Sequence, residues 1–252
     1  MNKQFIYLIG LILFFGTSCF EDPQFSETPE IDFRNIYFSD LDGESDSLVL
    51  TFYFEDGLGD IGLLNFENTP PFHKYNPIID SRDLAVTFSA VNVTPPLYII
   101  DSSFIVDRAP IKVLFSETDN RPSFDCNEYQ YISIARNSPK DTFYISENPF
   151  HNNIYIDFFR KRNNEYTLIN FATEFGNSTC NTVDFVSRIP IFEPESIGEP
   201  LSGTISYAMI SLGFKQIFRN DIIKIRFYIY DRSLNKSNIA ETPDFFLEDI
   251  TR

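Results

Sequence analysis

DSLVLTFYFEDGLGDIGL, residues 46–63, combines two local signals. Its first part, SLVLTFYFE (47–55), gathers aromatic, β-branched and aliphatic side chains. These fit a pleated, half-buried surface, so the run reads as a strand. Its second part breaks that strand with an Asp-led turn. The Asp56 carboxylate can accept from backbone N–H groups two or three residues on. Gly57, Gly59 and Gly62 supply permissive backbone there.

The same reading recurs along the chain. IDFRNIYF (31–38), DLAVTFSAV (83–91), YQYISIAR (129–136) and DTFYIS (141–146) are strand-like runs. So are NIYIDFFRK (153–161), EYTLINF (165–171), GTISYAMI (203–210) and DIIKIRFYIYD (221–231). Clusters of Asn, Asp, Gly, Ser and Pro separate them, and no amphipathic helical stretch of useful length occurs. Many short strands between turn signals indicate an all-β sandwich or barrel. Asn163 and Asn164 mark a hairpin turn, because Asn tolerates the positive φ such turns need. There is also an internal echo. Asp56 precedes Asp60 and Gly62 at the same spacing at which Asp231 precedes Asn235 and Ser237.

The 252 residues are ample for a sizeable core, and 43% hydrophobic content excludes a disordered chain. A formal net charge of −16 argues against nucleic acid as a partner, since phosphates are met by clustered Lys and Arg. It argues equally against electrostatic docking on anionic lipid. Membrane attachment must then come from something other than charge.

The N-terminus supplies a candidate. Lys3 precedes an apolar run from Phe5 to Phe15, which has the length of a signal-peptide core and is too short to span a bilayer. Gly16, Thr17 and Ser18 follow, then Cys19. This resembles the lipobox of bacterial lipoproteins, with residues 1–18 as signal peptide and Cys19 as the lipidated first residue. Acyl chains contribute about 0.8 kcal/mol per buried methylene, which makes a two- or three-chain anchor stable. Residues 19–29 then read as an acidic tether. Glu21 and Asp22 resemble the surface-export signal of Bacteroidota-type lipoproteins; a merely solvated linker is the competing reading. Cys126 and Cys180 remain, and in an oxidising compartment they are expected to form a disulfide.

Residues 46–63 and DRSLNKSN (231–238) also resemble two segments of small Bacteroidota-type envelope lipoproteins. Those segments read D-S-L…F-x-D-G-D-G-D-I-G-L and D-R-A-G-N-x-S-N. PEIDF (29–33) and GTISY (203–207) are similar to two of the family's other strands. The resemblance implies an immunoglobulin-like β-sandwich, here read over residues 30–252; the stretch at about 65–150, which it does not cover, reads as an insertion of extra strands and loops or as a second small β-domain. Leu58 stands where the family has its middle Asp, and Ser233-Leu234 stand where it has Ala-Gly. The family has no well-defined shared activity, so the resemblance speaks to fold and location.

Asp56 and Asp60, with backbone carbonyls, are candidate ligands for calcium, which takes six to eight oxygens. Two solvated turns are the competing reading. The acidic loop at Asp40, Asp42, Glu44 and Asp46 lies about 30 Å away if 47–55 is a strand, too far to share an ion. His73 and His151, the only histidines, show no zinc-like spacing. Neither a G-x-S-x-G elbow nor a Walker loop is found. Phe72, Tyr75 and Phe150 sit in Pro- and Asn-rich loops and are candidate binding aromatics, because loops on a rigid scaffold are where binding resides. The expectation is therefore a lipid-anchored outer-membrane binding or scaffold protein. It would serve as an accessory subunit of an envelope uptake or secretion assembly with a protein partner. It is not expected to be an enzyme or to need a cofactor beyond that calcium. A periplasm-facing structural lipoprotein is the alternative, with a carbohydrate- or peptide-active enzyme ranked behind both.

Overall fold

The computed structural model describes residues 24–40, 46–125, 128–132, 141–174, 185–192, 194–210 and 213–252. Cys19, Cys126, Cys180 and the signal segment lie outside the described residues. The fold is all-β. β1 (Glu30–Ser39), β2 (Ser47–Asp56) and β10 (Leu201–Ile210) form an antiparallel sheet in the order β1-β2-β10. A second sheet has the order β12-β11-β8-β9, with β8 (Ile154–Arg162), β9 (Glu165–Leu168), β11 (Ile222–Ile229) and β12 (Ala240–Glu241). A third has the order β5-β4-β3-β7-β6. It uses β3 (Tyr75–Ile79), β4 (Leu97–Val106), β5 (Ala109–Ser116), β6 (Tyr129–Ile132) and β7 (Asp141–Glu147). All strands of the third sheet therefore fall between β2 and β8.

The first two sheets pack face to face through a strand periodicity of two. In β2, Leu48, Leu50, Phe52 and Phe54 point inward and are buried. In β11, Ile223, Ile225, Phe227 and Ile229 do the same. Phe52 and Phe227 meet across the interface with ring centroids 5.3 Å apart. One apolar cluster fills the space between the layers and reaches from Ile31 to Leu247. Phe158 lies within it, with Phe171 and Phe185 at 5.2 Å, Phe218 at 5.6 Å and Phe214 at 5.9 Å. Each such side chain contributes about 1.5–3 kcal/mol by leaving water.

The turn at Asn163-Asn164 joins β8 to β9, with φ of 50° and 66° at the two Asn residues. Two consecutive positive φ values match the twist of the flanking strands. β9 stops at Leu168, short of the run's end at 171, because Asn170 caps a short helix at Phe171–Glu174. Its Oδ1 accepts from the Thr173 N–H at 3.1 Å.

Residues 83–91 form no strand; Ala85 and Thr87 make only isolated bridges. The cause is Asp80. Its carboxylate accepts from the N–H groups of Arg82, Leu84 and Thr94, which offers this backbone a local alternative to a ladder. β4 and β5 show the converse. Asp101-Ser102-Ser103 and Pro110 interrupt the apolar pattern, yet a bulge between Asp101 and Ile105 and an edge position absorb them.

Candidate functional site

The inward alternation of β2 does not stop with its apolar residues. Two positions after Phe54 it delivers Asp56 to the same face, fully buried. β11 repeats the arrangement, since two positions after Ile229 comes Asp231, 2% exposed. The strands face one another, so both carboxylates arrive at the same end of the sandwich. Asp60, 5% exposed, joins them from the turn after β2. One carboxylate oxygen from each of the three lies within 4.8 Å of the others.

The echoed spacing has a shared hydrogen-bond basis. Asp56 Oδ2 accepts from the Asp60 N–H at 2.8 Å, and Asp231 Oδ1 accepts from the Asn235 N–H at 2.7 Å. Each Asp thus closes its turn on the residue four positions later, with Leu58 also donating to Asp56 Oδ1 at 3.4 Å. Asn235 Nδ2 donates to Asp231 Oδ2 at 2.9 Å, and Ser233 Oγ to Asp60 Oδ2 at 2.8 Å. The two turns are stitched together by the Arg232 N–H to the Asp60 carbonyl at 3.1 Å and by a bridge between Ile61 and Asp231. Gly62 has φ of 119°, and a Cβ there would stand 2.6 Å from Ile191 Cα, so the turn needs glycine.

Electrostatics follow from this burial. Desolvation pushes the Asp56 carboxyl up to about 7; the charges of Asp60 and Asp231 add to it, and the Asp60 and Leu58 N–H groups oppose it. Burial likewise raises Asp231 to about 6, against the hydrogen bonds from Asn235. The nearby Arg232 guanidinium is held by Glu67, with contacts of 2.9 and 2.6 Å. The opposite acidic loop is separate: Asp40 and Asp46 both pair with Lys215.

Asp231 is the ligand-type residue that the candidate pair Asp56 and Asp60 lacked. The echo and the period-two register of β11 pointed to its turn and its face; nothing local showed which strand β11 would oppose. The three candidate binding aromatics divide. Phe72 is a correction: it is buried, 6% exposed, under the Arg232 guanidinium at 5.1 Å, and offers no surface. Tyr75 is half-buried at the start of β3, with Lys74 over its ring at 4.9 Å. Phe150 is half-buried against Phe104 and Tyr230, with centroids 5.7 and 5.2 Å away. His151 is partly buried, which lowers its pKa, and the Arg188 guanidinium donates to its Nδ1 at 2.8 Å.

A different apolar surface emerges at the β4–β5 hairpin. Its two-residue turn, Asp107-Arg108, has φ of 51° and 68°. Phe104, Ile105, Val106, Val113 and Leu114 stand exposed along its two strands. β5 forms one edge of its sheet.

Comparison with protein-family models, curated proteins and solved structures finds no match. The class that fold and site define is therefore an all-β protein with two facing sheets, an inserted third sheet and a buried inter-sheet cluster of three carboxylates.

Proposed function

We propose that this chain is a lipid-anchored binding or scaffold protein of the outer membrane, held by Cys19 and engaging a protein partner in the envelope. Its role is binding rather than catalysis, as an accessory subunit of an uptake or secretion assembly. The sandwich is read as immunoglobulin-like. The orders β1-β2-β10 and β12-β11-β8-β9 correspond to strands A-B-E and G-F-C-C′ of that fold, with β3–β7 as the insertion.

The observation that carries this reading is the β4–β5 hairpin. Phe104, Ile105 and Val106 beside the turn, with Val113 and Leu114 further along β5, expose apolar side chains on both faces of the hairpin, and exposed apolar surface of this kind marks interaction sites. Pro110 and Lys112 lie on the edge strand β5, where a missing donor and a charge discourage indiscriminate strand pairing. The exposed apolar side chains of the hairpin are then what it offers to a specific partner. Half-buried Phe150 supports the hairpin through Phe104.

In-cell photo-crosslinking tests this. A photoreactive residue at Leu114 of the full chain is expected to yield a discrete higher-mass species, whereas one at exposed Glu165 on β9 is not. Equal labelling at both positions, or none at Leu114, would overturn the partner reading. The anchor is tested separately: Cys19→Ala is expected to release the chain from the membrane fraction, and retention would remove Cys19 as the attachment point.

A further inference from the structure

We propose that Asp56, Asp60 and Asp231 bind a calcium ion that clasps the two sheets of the sandwich together at one end. The inference does not rest on the partner-binding role.

The first observation is burial. Three carboxylates, each at least nine-tenths buried, converge within 4.8 Å. Charge of one sign gathered in a low-dielectric interior is strongly unfavourable unless a proton or a cation offsets it. No Lys or Arg side chain is hydrogen-bonded to any of the three among the described residues, and Arg232, the nearby guanidinium, is engaged with Glu67.

The second observation concerns a single atom. Five of the six carboxylate oxygens accept a hydrogen bond from a turn residue. Asp60 Oδ1 is the sixth. It is buried and has no donor. Buried polar atoms are nearly always satisfied, and an orphan on an anionic group within an anionic cluster points to an absent positive partner.

The donor chemistry selects the ion. All three groups are hard carboxylate oxygens, without His or Cys, which disfavours zinc and favours calcium or magnesium. Magnesium demands near-ideal octahedral geometry, whereas calcium accepts irregular shells of six to eight oxygens completed by carbonyls and water. Carboxylates already tied into two turns by N–H donors suit the second requirement. Ser233, exposed to solvent, donates to Asp60 and places the cluster next to water.

The position gives the ion a structural task. Asp56 and Asp60 belong to the turn leaving β2, and Asp231 to the turn leaving β11, on opposite sheets. A shared ion would close the end of the interface where the apolar alternation runs out. Extracellular calcium modules commonly bind at about 0.1–1 mM, and comparable affinity is expected here.

The test is thermal unfolding of the full chain in chelator, in about 10 mM calcium and in about 10 mM magnesium. Calcium is expected to raise the Tm by about 5 °C or more, and magnesium by clearly less. Asp60→Asn is expected to abolish the calcium shift. No shift for the unaltered protein, or an undiminished shift in Asp60→Asn, would overturn the proposal. Should Asp60→Asn fail to fold, hydrogen exchange on the unaltered protein decides. Calcium-dependent protection at 56–62 and 231–237 supports the site, and protection elsewhere or nowhere refutes it.

Discussion

In the sandwich, Phe38, Phe52, Phe158, Phe214, Phe218 and Phe227 are all essentially inaccessible to solvent and share one cluster with the aliphatic residues of both sheets. In the inserted sheet, the buried cluster among the described residues comprises Ile78, Val86, Leu97, Tyr129 and Tyr144. The inserted sheet makes up for this with polar locks. Asp80, 2% exposed, gathers donors from Arg82, Leu84 and Thr94. Arg121 pairs with Asp119 and also donates to the Ala90 carbonyl at 2.9 Å. Asn148 donates to the Pro71 and His73 carbonyls, both at 2.7 Å. Layers covered on their inner faces are held by burial, while a sheet with much exposed apolar surface depends on satisfied hydrogen bonds. Asp80 and Asp56 show the same contrast within one residue type. Burial raises both, but the Arg82 guanidinium and three N–H donors bring Asp80 down to about 2, whereas no Lys or Arg among the described residues is paired with Asp56.

The largest expected effect is in the sandwich. Phe227→Ala removes the ring that meets Phe52 and is expected to cost about 3–5 kcal/mol, lowering the urea midpoint of the whole chain. A loss near 1 kcal/mol would mean the two layers do not share one core. Leu97→Ala, in the small cluster, is expected to cost about 2–4 kcal/mol, confined to residues 75–147. Hydrogen exchange checks this: if sandwich amides lose protection equally, the two regions are one cooperative unit.

Acid should act selectively on the inserted sheet. The Asp80 pKa is depressed, so its contribution is fully present above the unfolded value near 3.8 and is lost as pH falls toward about 2. The loss is about 2 kcal/mol or less, since Arg82 is half exposed and its pairing is screened. Asp80→Asn should flatten that dependence in a pH series of exchange protection across 80–94; an unchanged profile would remove Asp80 as the lock. The smallest effect is at Leu234, which holds φ of 68° in the turn after β11. Leu234→Gly relieves that strain and is expected to stabilise the sandwich by up to about 1 kcal/mol. A destabilised variant in thermal unfolding would show that the Leu side chain contributes more than the backbone costs.

Much of the sandwich was legible residue by residue. The runs at 31–38, 47–55, 153–161, 203–210 and 221–231 are strands because their alternation is local and strong. The inserted sheet was harder to read. The 83–91 run has strand composition, yet Asp80 captures its N–H groups, and β4 and β5 hide behind a bulge and Pro110. At the candidate site, Asp56 and Asp60 could be named from their turn, but Asp231 could not be joined to them. Phe72 reads as a loop aromatic, but Arg232 lies over its ring and leaves it buried.

The period-two faces, the Asn163-Asn164 turn and the two Asp-led turns are written locally, because each depends on residues within a few positions of one another. That β2 and β11 lie opposite, which sheets they join, and hence that Asp56 and Asp231 share a buried end, is set by long-range packing. That outcome depends on which apolar faces cover one another across 175 residues of chain, and no local pattern carries that choice.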